Sequence, residues 1–172
     1  MPSQDHDNKN SEKYFLKSNR LGFRLWRQDD LDIATDLWGD YEVTRLFDAR
    51  GKWSREAVRK RLAEEIKTEK KYRVQYWPIF LLEIHSHVGC CGLRPYEISQ
   101  GIYEIGFHIR SSLWRRGYAR EAAMTVIDYA FNTLAANGLF AGHNPRNSVS
   151  RHILLQLGFR FNPQRILSPD RP

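Results

Sequence analysis

Trp114-Arg115-Arg116-Gly117-Tyr118-Ala119-Arg120-Glu121-Ala122 is the stretch from which the rest of the chain can be read. It follows an alternating apolar run, residues 102–110, and opens a segment whose Ala123, Val126, Ile127, Ala130 and Leu134 recur at helical spacing. The stretch is therefore a strand-to-helix junction. There the first backbone N–H groups of the helix lack intrahelical partners, and the helix dipole presents its positive end. Gly117 lets a bulky anion approach the backbone, Ala119 keeps the next turn low, and Arg115, Arg116 and Arg120 add positive charge. A pyrophosphate suits this arrangement. A basic, solvated helix start is the plainer alternative.

Upstream, residues 77–84, 87–93 and 102–110 read as an antiparallel meander turned at His85-Ser86 and Ser99-Gln100-Gly101. Before it, Ser54 is a good N-cap with Trp53 placed to staple onto Val58, and Val58, Leu62 and Ile66 form the buried stripe of a helix. Asp29 or Asp30 caps an earlier helix through Leu31, Ala34, Leu37 and Trp38, which Gly39-Asp40 ends. Val43, Leu46 and Phe47 suggest a second short helical piece. Leu21, Phe23 and Leu25 alternate with Gly22, Arg24 and Trp26 as a first strand. Residues 1–17 are polar and mixed in charge, and the expectation is a flexible tail followed by one domain over 18–172. Downstream, 138–142 reads as a short strand and 147–157 as a helix stopped by Gly158, with a brief final pairing at 159–161. The order predicts a mixed α/β (α+β) sandwich, with no internal repeat and no interdomain linker.

Composition narrows the function classes. A chain of 172 residues is the size of one domain, and 41% hydrophobic with 27% charged residues excludes wholesale disorder. No apolar run approaches the ~20 residues a membrane helix needs, and the mean hydropathy is −0.61. The opening residues have no apolar core after their charges, so no signal peptide is expected. Cys90 and Cys91 are adjacent on a strand and point to opposite faces, so no bridge joins them; this usage fits a reducing cytoplasm. The net charge of +7 favours anionic partners, but no Lys/Arg block marks a nucleic-acid arm. His85-x-His87 with Cys90 lacks a fourth ligand at a recognised spacing, so no metal is expected. No Gly-x-x-x-x-Gly-Lys and no Gly-x-Gly-x-x-Gly occurs, which argues against nucleotide hydrolysis and dinucleotide chemistry.

The junction resembles the cofactor loop of the GNAT superfamily of N-acetyltransferases, Gln/Arg-x-x-Gly-x-Gly/Ala. Gly117 and Ala119 match it, and Trp114 takes the Gln/Arg position. Trp-x-x-Gly-Tyr-Ala followed by Glu-Ala is usual in the branch resembling ribosomal-protein N-terminal acetyltransferases. Asn19-Arg20-Leu21 with Phe23-Arg24-Leu25 looks like the family's first strand, and Tyr103-Glu104-Ile105-Gly106-Phe107 like its central strand. Asn147-x-x-Ser150 with Leu157-Gly158-Phe159 looks like its closing helix. The four matches fall in order and cover residues 19–161.

The resemblance implies a mixed, mostly antiparallel sheet flanked by helices, whose central strands splay to admit acetyl-CoA as cosubstrate. The pyrophosphate would lie on Arg115, Arg116, Gly117, Tyr118, Ala119 and Arg120, the pantetheine beside residues 104–109 up to Ile109, and Asn147 would hydrogen-bond the cofactor while capping its helix. Ser150 would hydrogen-bond the departing thiolate, or simply lie in a first turn. Glu104, Gly106, His108 and Arg110 share one strand face, so Glu104 is a candidate general base or the partner of a basic neighbour. His108, with an ordinary pKa already suited to the task, is a second candidate base or a structural histidine. The acceptor would be a primary amine, either a protein or peptide α-amine or a small molecule; the basic charge favours acidic acceptors over polyamines. Neither membrane nor nucleic acid is expected as a partner, and a homodimer is left open. One departure stands out: after Phe159 only residues 160–172 remain, with Pro163, Pro169 and Pro172, so the final strand is shortened or missing. That motivates a second reading, a non-catalytic acyl-CoA-binding relative.

Overall fold

The alternating runs assemble into a six-stranded curled sheet in a computed structural model that describes residues 14–162. The strands are β1 (Leu16–Lys17), β2 (Leu21–Phe23), β3 (Tyr76–Leu81), β4 (His87–Glu97), β5 (Ile102–Ile109) and β6 (Gly138–Phe140). They lie side by side in chain order; β1 through β5 pair antiparallel, and β6 joins β5 in parallel. Helices α1 (Leu31–Trp38), α2 (Tyr41–Thr44) and α3 (Arg55–Tyr72) connect β2 to β3, α4 (Tyr118–Asn132) links β5 to β6, and α5 (Ser148–Gln156) follows β6. Among the described residues no helix is long and apolar enough to cross a membrane.

Each face of the sheet carries its own core. Leu21, Phe23, Trp77, Ile79, Cys91, Leu93, Ile105 and Ile109 meet Ala122, Ala123, Val126 and Ala130 of α4 on one side. On the other, Tyr76 and Cys90 meet Trp38, Val43, Val58 and Leu62 from α1, α2 and α3. The adjacent cysteines thus enter opposite cores, both free and buried, as their strand positions require. Ser54 caps α3 as expected, its Oγ accepting from Ala57 N at 3.2 Å.

Several boundaries need correction. Tyr14 to Lys17, read from their polar surroundings as tail, are ordered: Phe15 N donates to Phe23 O at 3.0 Å, and the Phe15 ring packs edge-on against Trp77 and Tyr129. Gly22 accommodates this, since a Cβ there would run into the Tyr14 ring. The rest of that tail and the proline-bearing end lie outside the described residues. β2 stops at Phe23 because the next residues are held by side chains: Trp26 N donates to Gln75 Oε1 at 2.8 Å and its indole to Tyr76 O at 2.6 Å. Asp30 precedes α1 without capping it, because its carboxylate is occupied by Arg24 at 2.7 and 2.9 Å. β3 ends at Leu81 rather than Ile84, while β4 runs past Leu93 to Glu97. No strand forms at 159–161: Phe159 N caps α5 by donating to Leu154 O at 3.0 Å, and its ring returns to the core.

Burial of a core histidine contributes to acid sensitivity of the fold. His87 is 4% exposed, its ring set between Trp26 and Phe80, and neither ring nitrogen has a hydrogen-bond partner among the described residues. Burial, reinforced by Arg110, moves its pKa from 6.5 to about 3. A folded-state pKa below the unfolded one gives stability that is complete above about 6.5 and is lost as pH falls toward about 3. At pH 5 the loss amounts to about 2 kcal/mol. Thermal unfolding of wild type and His87→Phe from pH 7 to 5 checks this: the variant should show the flatter decline, and parallel declines would place the acid sensitivity elsewhere.

Candidate functional site

Three parts of the chain converge where β5 ends. A single turn at Ser111–Leu113 reverses the chain, and the Trp114 indole closes the loop by donating to Ile109 O at 2.8 Å. Arg115 and Gly117 then take positive φ, 63° and 81°, before α4 begins. Glu121 N is the first amide to bond back into the helix, onto Gly117 O at 3.1 Å. The N–H groups of Tyr118, Ala119 and Arg120 are those a helix leaves over at its start. Arg115, Arg116, Gly117 and Arg120 are exposed, and the three arginines form no ion pair among the described residues. Of the residues assigned to a pyrophosphate from the sequence, Arg115, Arg116 and Gly117 lie on the exposed turn, while Tyr118, Ala119 and Arg120 form the first turn of α4, with the Tyr118 side chain buried.

The loop is clamped by a pair that sequence reasoning missed. Glu121 accepts from Arg20 N at 2.8 Å, Arg20 Nε at 2.7 Å and Ser18 Oγ at 2.6 Å, while Arg20 Nη2 donates to Arg116 O at 3.1 Å. The Arg20 guanidinium also lies 4.6 Å over the Tyr118 ring. Burial opposes ionisation of Glu121, and these hydrogen bonds prevail, holding its pKa down. Both residues stood inside quoted motifs, but nothing local links positions so distant along the chain.

Beside the loop the sheet opens. β6 pairs with β5 only through Ile102, Tyr103 and Glu104, opposite Gly138, Leu139 and Phe140, whereas β5 continues to Ile109. Arg110 N donates to Val88 O on the β4 side at 3.0 Å. Backbone groups of an antiparallel strand alternate between its edges, so Phe107 and Ile109 turn theirs toward the side that β6 has left. Pro95, which has no N–H to offer, sits opposite Tyr103 in this register, where none is required of it. The amides of Phe107 and Ile109 are therefore left on the open edge of β5, shortly before the start of α4.

The opposite face of β5 carries the titratable groups. Glu104 is half-buried and makes no hydrogen bond or ion pair among the described residues. Desolvation raises its pKa, against the pull of Arg94 and Arg61. Arg94 lies directly across the ladder from it. Gly106 is small for a reason: a Cβ there would collide with the Tyr76 hydroxyl, which reaches over it from β3. Of the two readings open to His108, its surroundings support the structural one. Its Nδ1 accepts from the Trp38 indole at 3.0 Å, Cys90 Sγ lies 3.8 Å away, and its ring stacks on Phe47 at 4.1 Å. Desolvation by these neighbours, with Arg61 and Arg94, pushes its pKa well down. Its acceptor nitrogen is already used, so it is a poor proton acceptor. Asn147 and Ser150 are brought together: Asn147 Oδ1 accepts from Ser150 N at 3.0 Å, and its amide donates to Ser150 Oγ at 2.7 Å. That leaves the Ser150 hydroxyl proton available to another acceptor.

Behind Glu104 lies a buried charge cluster, also unforeseen. Glu65 of α3 is 1% exposed and accepts from Arg61 Nε at 2.7 Å, Arg94 Nη2 at 2.8 Å and Tyr76 N at 2.8 Å. The guanidinium of Arg94 lies 4.4 Å over the Tyr76 ring.

Comparison with known proteins finds relatives that share the fold. The sequence profile described as Acetyltransferase (GNAT) domain matches residues 20–160. The uncharacterized N-acetyltransferase p20 of Bacillus licheniformis is 27% identical over 145 residues, covering 84% of this chain and 82% of that protein. Among solved structures, an acetyltransferase from Agrobacterium tumefaciens C58 superposes with a TM-score of 0.77 at 21% identity, covering 95% and 94% of the two chains. The spermidine N-acetyltransferase of Vibrio cholerae, in complex with CoA and spermine, gives 0.69 at 15% identity over 81% and 80%. The ribosomal-protein-S5-alanine acetyltransferase of Vibrio fischeri gives 0.66 at 20% identity over 87% and 84%.

Proposed function

The chain belongs to the GNAT acetyltransferase family, and on that premise we propose that it transfers the acetyl group of acetyl-CoA directly to a primary amine bound on the Glu104 face of β5. The observation that carries this reading is the parting of β5 from β6 beyond Glu104, beside the N-terminus of α4. The residues present fit the cosubstrate. The amides of residues 118–120 with Arg115, Arg116 and Arg120 suit a pyrophosphate, and the open edge of β5, with the backbone groups of Phe107 and the N–H of Ile109, suits the amide-bearing pantetheine arm. When bound, acetyl-CoA supplies an activated thioester. The protein's part is then threefold. Glu104 takes the proton of the arriving ammonium, a strand amide stabilises negative charge on the acetyl oxygen, and Ser150, oriented by Asn147, offers its hydroxyl proton to the departing sulfur.

The test is the thermal unfolding midpoint with acetyl-CoA, CoA and ATP, followed by thiol release across a panel of amines. Ligand at about 100 times its Kd should add ~2.7 kcal/mol of stability. Gly117→Glu should erase that gain, since it strains a residue at φ 81° and places a carboxylate where phosphate would lie. An equal shift in wild type and variant would remove the loop assignment, and no shift in wild type would remove the reading altogether. One second reading is a non-catalytic acyl-CoA-binding protein. A midpoint shift without thiol release from any amine would select it.

A further inference from the structure

We infer that the acceptor amine carries a carboxylate or similar oxyanion within a few bonds of it, held by Arg94 with Arg61 behind, and that polycationic amines are excluded; this rests on the acetyltransferase reading above. The inference comes from the charge count beside Glu104. Two guanidinium groups, Arg61 and Arg94, share one carboxylate, Glu65, which is 1% exposed and already engaged by three donors. Arg94 gives only Nη2 to Glu65, and its side chain remains 35% exposed, with its other donors unpartnered among the described residues. Arg61 spends Nε on Glu65, lies 4.9 Å over the Trp38 ring, and keeps Nη2 buried with no hydrogen-bond partner.

Glu104 is the remaining carboxylate here, opposite Arg94. Once Glu104 takes the ammonium proton, this wall holds one positive charge more than its carboxylates balance. The Tyr76 hydroxyl, reaching over Gly106 between Glu104 and His108 without a hydrogen-bond partner among the described residues, adds a neutral donor to the same wall. An acceptor bringing an oxyanion supplies what these donors lack and balances the charge. A polyamine would set its second ammonium against Arg94, and like charges in a partly desolvated site repel strongly.

The experiment compares kcat/KM for acetyl-CoA-dependent thiol release with three peptides of equal length, beginning Ser-Asp, Ser-Ala and Ser-Lys, together with spermidine and free glutamate. Wild type, Arg94→Gln and Arg94→Lys are each assayed after unfolding confirms that they are folded. The expected order is Ser-Asp above Ser-Ala by about 10- to 100-fold, the range of a charge-assisted hydrogen bond, with Ser-Lys and spermidine lowest. The preference should appear chiefly in KM, collapse to within about threefold in Arg94→Gln, and return in part in Arg94→Lys. Glutamate matching Ser-Asp would mark a small-molecule acceptor, and Ser-Asp alone a peptide terminus; both support the inference. Equal use of Ser-Asp and Ser-Lys by wild type, or a preference that survives in Arg94→Gln, overturns it while leaving the acetyltransferase reading standing. No thiol release from any acceptor takes down both.

Discussion

Glu104→Gln is expected to lower turnover by about 10²–10⁴-fold, the usual range for removal of a general base, while acetyl-CoA raises the unfolding midpoint as much as in wild type. Glutamine keeps the size and polarity of the side chain and loses only the ability to take a proton. The environment is matched to the task. Desolvation raises the Glu104 pKa above its ordinary value, and Arg94 and Arg61 limit the rise. A carboxylate so raised stands closer to an α-ammonium of pKa about 7.7–8.0 and accepts its proton with less opposition. In wild type, kcat/KM should climb with pH as Glu104 ionises, and the acid limb should vanish in the variant. His108 cannot substitute, because its Nδ1 is held by the Trp38 indole and its pKa is pushed down. Single-turnover rates with saturating acetyl-CoA give the decisive comparison. A variant within threefold of wild type would move the proton acceptor off β5.

The largest effect on stability belongs to Glu65→Ala. Removing one partner from a buried ion cluster leaves the other charges uncompensated, at a cost of about 3–5 kcal/mol. Here Arg61, 13% exposed, would lose its carboxylate, Arg94 its anchor, and Tyr76 N an acceptor. Urea unfolding measures the loss as a fall in midpoint. Asp32→Ala, which breaks an exposed pair with Arg55, should hardly move it. A small shift for Glu65→Ala would mean that solvent reaches the cluster more readily than its packing suggests.

The contrast between these residues shows what the chain reveals when read as text. Gly117, Ala119 and the apolar period after them announce the start of a helix because every signal is local. Ser54 and the Asn147–Ser150 spacing are legible for the same reason: a cap and its recipient lie three residues apart. Alternation correctly put Glu104 and His108 on one face of β5. It was silent about what covers that face, and the covering decides the chemistry: Trp38 and Phe47 arrive from α1 and the segment after α2 to silence His108. Arg20 with Glu121, and Glu65 with Arg94, are pairings made by the tertiary fold between residues far apart in the chain. β1 was missed because its two residues are short of any period, and its order comes from the Phe15 ring on Trp77 and Tyr129.

The parting of β5 and β6 also bears on rigidity. β6 joins the rest of the sheet through Ile102–Glu104 alone, supported by the Phe140 ring stacked on Tyr96 at 4.4 Å. Beyond this seam the described residues after α4 reach the core through a few side chains, Leu157 and Phe159 among them, which makes the seam the natural place for the fold to breathe. A long, flexible molecule laid along the open edge of β5 would act as a splint across the two lips. In the proposed reading the cosubstrate is such a splint, and the hydrogen bonds that aim its acetyl group are the ones that stiffen the enzyme around it.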